Sequence, residues 1–212
     1  MGYRLGIDCD GVLFDFTSAY ARVLEKVSGK KCLLRPGEQP TCWDWPTKYG
    51  FSKGDDHAAW REIKGDPIFW SGLAPTVEAK SACIALNEMY GAGHDVYFIT
   101  NRPGIAPHMQ TVMALMALGI NIPQVLVTED KGPVVKGLKL THFIDDKPDN
   151  VFEAKEASSD CSVFMLATNY NKAEQAKAKA KDIVIVATLR EFFEALAREK
   201  NSEGIKSAVL SS

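Results

Sequence analysis

The stretch Arg4-Leu5-Gly6-Ile7-Asp8-Cys9-Asp10-Gly11-Val12-Leu13-Phe14-Asp15-Phe16 passes from a short apolar run into two carboxylates and a glycine. The run reads as a buried β-strand over residues 4–8. On extended backbone, side chains at i and i+2 leave by the same face, so Asp8 and Asp10 can aim at one point. Gly11 then lets the backbone turn sharply. If the strand lies in an open parallel sheet, whatever follows its carboxyl end borders the ligand crevice.

Working outward, apolar runs rich in Val, Ile and Phe recur at 94–100, 124–128, 142–145, 162–166 and 183–186. Helical patterns at 76–90, 106–118, 147–157 and 189–198 alternate with them. That alternation predicts an α/β fold of βαβ units, a parallel sheet flanked by helices. Residues 17–71 break the pattern. They hold aromatic and charged residues, turn signals at Arg35-Pro36-Gly37 and Lys53-Gly54-Asp55-Asp56, and no buried strand. We read them as a mostly helical cap inserted after the first strand. The core is then 1–16 plus 72–200. The Ala- and Lys-rich stretch 172–181 reads as an exposed helix, and 201–212 as a loosely held tail.

The chain has 212 residues, 46% apolar and 25% charged, with a formal net charge of -2 and a pI near 6.1. This is the composition of a soluble globular protein, without the basic stripe that long nucleic acid demands. Five cysteines with no CxxC pair argue against a disulfide framework or zinc cluster and for a reducing cytoplasm. No window resembles a signal peptide or a membrane span. Gly91-Ala92-Gly93 lacks the spacing of a dinucleotide fingerprint. His57, His94, His108 and His142 form no metal-binding pair, and Cys9 reads as packing.

The other strand ends carry Thr100-Asn101-Arg102, Glu129-Asp130-Lys131 and Asp145-Asp146-Lys147. With Asp8 and Asp10, the last cluster brings up to four carboxylates toward one crevice. Their repulsion calls for a divalent cation, and oxygen-only ligands favour Mg2+ over zinc. A hydroxyl (Thr100) and an ammonium (Lys131) beside such a cation suit phosphoryl transfer. Each signal alone has a plainer reading: a D-x-D-G turn, an acidic helix start at 145–149, a solvated Lys131. Those readings do not explain why all four fall at the ends of successive strands.

These motifs resemble the four motifs of the haloacid dehalogenase (HAD) superfamily of phosphotransferases, over residues 4 to about 155. Within it, 10–16, 128–131 and 144–147 are similar to segments of the 5'(3')-deoxyribonucleotidases, and 65–75 to their hinge. The resemblance implies a Rossmann-like core and a Mg2+-dependent phosphatase for nucleoside monophosphates, deoxy ones preferred. It implies that Asp8 is the nucleophile and forms an aspartyl-phosphate, while Asp10 acts as acid and then base. Mg2+ would be held by Asp8, the Asp10 main-chain carbonyl and the acids Asp145 and Asp146, the second being the direct ligand. Thr100, the Asn101 N–H and Lys131 would hold phosphoryl oxygens, with Lys136 as the alternative lysine. Because an alkoxide leaving group needs an acid and a halide does not, Asp10 favours a phosphatase over a dehalogenase.

Where those nucleotidases follow the motif-two Thr with Ser-Pro, this chain has Asn101-Arg102-Pro103. Arg102 either reaches an anionic group, as a substrate contact, or faces solvent. All four Trp fall between 43 and 70. Trp43, Trp45 and Trp60 read as the small core of the cap. Phe16, Phe69 and Trp70 stand at its hinges as candidate substrate contacts, one or more of them packing on the nucleobase. Other readings are a phosphatase for another small phosphate ester or a polynucleotide 3'-phosphate, and a phospho-acceptor signalling module. The expected partner is a small phosphate ester, with no membrane and no long nucleic acid. A homodimer is left open.

Overall fold

The computed structural model describes residues 2–34 and 38–210, with side chains to Glu199. The turn signal at 35–37 therefore lies outside the described residues. In chain order the elements begin with β1 (Arg4–Ile7), α1 (Phe16–Ser28), α2 (Trp45–Lys48) and α3 (Lys53–Gly65). A 3-10 turn at Trp70–Gly72 leads into α4 (Ala79–Gly91), β2 (Asp95–Thr100), α5 (Pro107–Leu118) and β3 (Gln124–Val127). Then come α6 (Lys131–Gly137), β4 (His142–Asp145), α7 (Pro148–Ala157) and β5 (Ser162–Leu166). The chain finishes with α8 (Gln175–Ala180), β6 (Val184–Val186) and α9 (Leu189–Leu210).

The strands form one six-stranded sheet in the order β3-β2-β1-β4-β5-β6, every neighbouring pair parallel. The chain builds outward from β1 to β3, then returns to the other side of β1 for β4 to β6. The order thus reverses beside β1, and the crevice of such a sheet opens at the carboxyl ends flanking that reversal. The central strands are buried throughout: Leu5, Ile7, Phe98, Phe143 and Ile144 are at most 1% exposed. Helices on both faces make this burial possible, which is why these strands read as continuous apolar runs rather than alternating ones.

The inserted segment is helical as expected. Asp15 caps α1 by accepting the Ser18 N–H at 3.0 Å, and Gly29 ends it at φ 68°. Ser52 and Asp55 form a reciprocal capping box at the start of α3. Tyr20, Leu24, Trp45, Phe51 and Ile63 join a buried cluster that continues into Leu5, Ile7 and Phe98 of the sheet. Of the three Trp expected as the core of this segment, only Trp45 is buried. Trp43 is 59% exposed and Trp60 partly buried. Residues 201–210, expected as a tail, continue the backbone of α9, and 211–212 lie outside the described residues.

Candidate active site

The Asp8 N–H bonds to the Ile144 carbonyl at 3.0 Å, the last rung tying β1 to β4. The chain then closes a tight turn in which the Leu13 and Phe14 N–H groups both reach the Cys9 carbonyl at 2.8 Å. Gly11 occupies φ +84°, and a Cβ there would lie 2.1 Å from Asp146 Oδ2. Only glycine permits both the turn and that approach. Cys9 is fully buried, and burial pushes its thiol up to about 12. It is packing, as expected.

Asp8, Asp145 and Asp146 each present a carboxylate oxygen within 4.8 Å of the others, and all three are buried. The Lys131 ammonium, first residue of α6, reaches Asp8 and also Asp145 Oδ2, the latter at 2.6 Å. Asp145 further accepts the Lys147 N–H at 2.8 Å and the Asn150 amide at 3.0 and 3.1 Å. Its two oxygens are thus engaged, Oδ2 by Lys131 and Asn150 and Oδ1 by Lys147 and Asn150. Asp146 accepts the Tyr170 hydroxyl, and its carbonyl accepts Asn171 Nδ2 at 2.8 Å.

Burial, reinforced by Asp145 and Asp10 and opposed by Lys131, pushes the Asp8 carboxyl up to about 7. Burial, then Asp145 and Asp8, raises Asp146 well above the usual carboxylate range. Burial alone would lower the Lys131 ammonium, but Asp145 and Asp8 outweigh it and raise its pKa. One ammonium faces three buried carboxylates. The donors are hard oxygens with no Cys or His among them, so the set suits an oxygen-seeking divalent cation such as Mg2+.

Asp10 turns away from this cluster. Arg102 Nε donates to Asp10 Oδ2 at 2.9 Å and Nη2 to Oδ1 at 2.7 Å, a bidentate pair. Arg102 Nη1 donates to Thr111 Oγ1 at 3.0 Å. The guanidinium carbon lies 5.2 Å from the Phe14 ring centre and 5.3 Å from that of Trp70. The Arg102 side chain is 0% exposed. The solvent-facing reading of Arg102 is therefore corrected: the anionic group its buried guanidinium reaches is the Asp10 carboxylate. Thr100 Oγ1 stands 3.4 Å from Asp10 Oδ2.

A crevice of about 270 Å³ collects Asp8, Asp10, Thr100, Asn101, Lys131 and Asp146 on its floor, under Phe16, Trp43, Trp60 and Trp70. A second chamber of about 290 Å³ adjoins it and shares Asp10, Phe16, Trp43, Trp60 and Asp146. Phe16 stacks on Tyr20, Trp60 and Trp70 at centroid distances of 5.3, 5.8 and 5.7 Å. Two hinge residues depart from their expected role. Trp70 is 1% exposed, its Nε1–H bonds to the Pro103 carbonyl at 3.0 Å, and its ring is held by Phe16 and Arg102. It supports the wall rather than offering a free face to a base. Phe69 borders a separate groove with Arg22, Lys26 and Ile68. Lys136 is exposed on α6, away from the crevice.

Sequence reasoning missed Asn150, Tyr170, Tyr20 and Asp56 and misassigned Trp43 and Trp60. Asn150 had a usable signal, since it follows Asp145 by five residues on the first turn of α7. Tyr170 had none, because it arrives from a loop beyond β5.

No family model matches the chain. A candidate nucleotidase of Bacillus cereus is 25% identical over 174 residues, 80% of this chain and 88% of that protein. A HAD family hydrolase of Deinococcus radiodurans, solved with phosphate and sodium, superposes with a TM-score of 0.60 at 13% identity. The match covers 93% of this chain and 96% of that one. A predicted phosphoglycolate phosphatase of Haemophilus somnus gives 0.55 at 14% identity, over 92% and 98%. With its strand order and acidic strand ends, the chain has the fold of the haloacid dehalogenase-type hydrolases.

Proposed function

We propose that the chain is a Mg2+-dependent phosphatase that hydrolyses nucleoside monophosphates, deoxyribonucleotides among them, through an aspartyl-phosphate on Asp8. The observation that carries this reading is the division of two neighbouring acids between two environments. Asp8 sits on the Lys131 ammonium at the crevice floor, and Asp10 is held beside it by Arg102. One acid to attack and one to move protons is the requirement for displacing an alkoxide rather than a halide. The aromatic chamber next to that floor supports a substrate with a flat apolar leaving group, and the likeness to the Bacillus cereus candidate nucleotidase agrees.

The Asp8 carboxylate attacks phosphorus, and the leaving oxygen takes a proton from Asp10. Asp10 then removes a proton from the water that cleaves the acyl phosphate, returning Asp8 to its carboxylate. Thr100, the Asn101 N–H and Lys131 face the phosphoryl oxygens and offset their charge. Asp145 keeps Lys131 in place. Asp8, Asp146 and the Asp10 carbonyl would hold the Mg2+, which when bound supplies positive charge against the phosphoryl group and the carboxylates.

Residues 17–71 are proposed as the cap over this site. A reducing cytoplasm suits five cysteines that are all free, and no helix among the described residues is long and apolar enough to cross a membrane. Phosphate release from a panel of nucleoside monophosphates, with Mg2+ and with EDTA, tests the proposal. Turnover that needs the metal and vanishes in Asp8→Asn is expected. Absence of turnover for every monophosphate refutes it.

A further inference from the structure

Phosphoryl chemistry accounts for the crevice floor but not for the adjoining chamber. Its walls are Phe16, Tyr20, Trp43, Trp45 and Trp60. Every charged side chain that lines it is a carboxylate, with no Lys, Arg or His among the described residues. Asp10 and Asp146 belong to the phosphate end, and Asp44 is exposed. Asp56 is the acid left within the aromatic walls. It lies in the first turn of α3, partly buried, with its N–H on the Ser52 carbonyl at 3.1 Å. The Tyr20 hydroxyl donates to Asp56 Oδ1 and fixes the carboxylate against the wall. Burial and then Asp56 itself raise the Tyr20 pKa, so this hydroxyl stays a donor.

Such a chamber accepts a flat apolar face and rewards N–H groups along its edge, while repelling carbonyl oxygens aimed at Asp56. Phe16 lies nearly parallel to Tyr20 and to Trp60, at 14° and 26°. At centroid distances of 5.3 and 5.8 Å these rings pack on one another, so they present a flat apolar wall that suits a planar group better than a round ammonium head. We propose that the chamber takes a nucleobase that presents adjacent N–H donors, guanine above all, and that Asp56 is the residue that reads it. This deepens the nucleotidase reading and rests on it. Guanine offers its ring N1–H and exocyclic amino group side by side, matching the two oxygens of a carboxylate. Hypoxanthine keeps only the ring N–H. Adenine and cytosine set one amino group beside an acceptor nitrogen. Thymine and uracil flank their N–H with two carbonyl oxygens, which Asp56 repels.

The experiment compares kcat/KM for dGMP, dIMP and dTMP in the wild-type protein, Asp56→Asn and Tyr20→Phe, with p-nitrophenyl phosphate and phosphocholine as further substrates. We expect dGMP to exceed dIMP and dTMP by roughly 10-fold or more, the worth of a hydrogen bond to a charged group. Asp56→Asn, which retains an acceptor for Tyr20 but adds an amide donor, collapses that preference, and Tyr20→Phe narrows it. A dTMP rate at or above that for dGMP overturns the proposal, as does phosphocholine outrunning every nucleotide or an unchanged ranking in Asp56→Asn. Circular dichroism identifies a variant that fails to fold, in which case the wild-type ratio of dGMP to dIMP decides alone. Equal turnover of all bases removes the base assignment and leaves the nucleotidase reading standing. Turnover of p-nitrophenyl phosphate with none of any nucleotide removes both.

Discussion

Arg102 holds both oxygens of Asp10 from a fully buried position, braced by Thr111, Phe14 and Trp70. A planar fork does this and a lysine does not, because a single ammonium cannot meet two parallel acceptors. If Asp10 moves the protons, its placement belongs to the chemical step rather than to substrate binding. Arg102→Lys should therefore lower kcat by about tenfold or more with little change in KM, since a small misplacement of a catalytic group is costly. Steady-state kinetics on one nucleotide and on p-nitrophenyl phosphate read this, and an unchanged kcat refutes it. That Asp8, Asp10, Thr100, Lys131 and the paired acids would meet at one crevice was legible because each follows the carboxyl end of an apolar strand in a parallel sheet. The orientation of Arg102 was not, because it is decided by Thr111, Phe14 and Trp70, which come from three other segments. Which of Phe16, Phe69 and Trp70 keeps a free face was illegible for the same reason: proximity along the chain to a hinge does not decide it.

At the scale of elements, the six strands were readable because strands covered on both faces leave uninterrupted apolar runs. Helix starts were less so, since they depend on where side chains and backbone groups are already engaged. The helix expected from 76 begins at Ala79 because the Thr76 N–H and Oγ1 tie back to the Leu13 and Val12 carbonyls at 2.9 and 3.1 Å. The helix expected over 172–181 shortens to Gln175–Ala180, after Asn171 has committed its amide to the Asp146 and Leu166 carbonyls. In α3 the cap residue is explicit. Ser52 Oγ accepts the Asp55 N–H at 3.2 Å, while Asp55 accepts the Ser52 N–H at 2.8 Å and reaches Lys30 Nζ at 2.6 Å. Ser52→Ala should cost about 1 kcal/mol of stability, the usual loss for an N-cap serine. Denaturant unfolding measures it, and a loss indistinguishable from zero would mean that packing against α1 alone holds the start of this helix.

For the whole molecule, a net charge of -2 conceals how unevenly charge is placed. Three buried carboxylates converge at the carboxyl ends of β1 and β4, where Lys131 is the one ammonium paired with them among the described residues. Desolvation makes this arrangement costly in the metal-free protein, and a divalent cation reverses the sign of that cost. Asp145 is committed to Lys131, Lys147 and Asn150, so Asp146 is the acid whose removal should separate the two states. Asparagine there keeps an acceptor for Tyr170 and removes a carboxyl whose ionised form burial and the neighbouring acids disfavour. Metal-free Asp146→Asn should melt a few degrees above the metal-free wild type, a gain on the order of 1 kcal/mol. With Mg2+ at about a hundred times its dissociation constant, the wild type should gain about 2.7 kcal/mol, roughly 5–10 °C, through binding linkage. The variant should gain little, so the order of the two melting temperatures inverts on adding metal. Calorimetry on both proteins with EDTA and with Mg2+ tests this, and a variant that is destabilised without metal yet responds to Mg2+ like the wild type would show that Asp146 is structural and that the cation sits elsewhere.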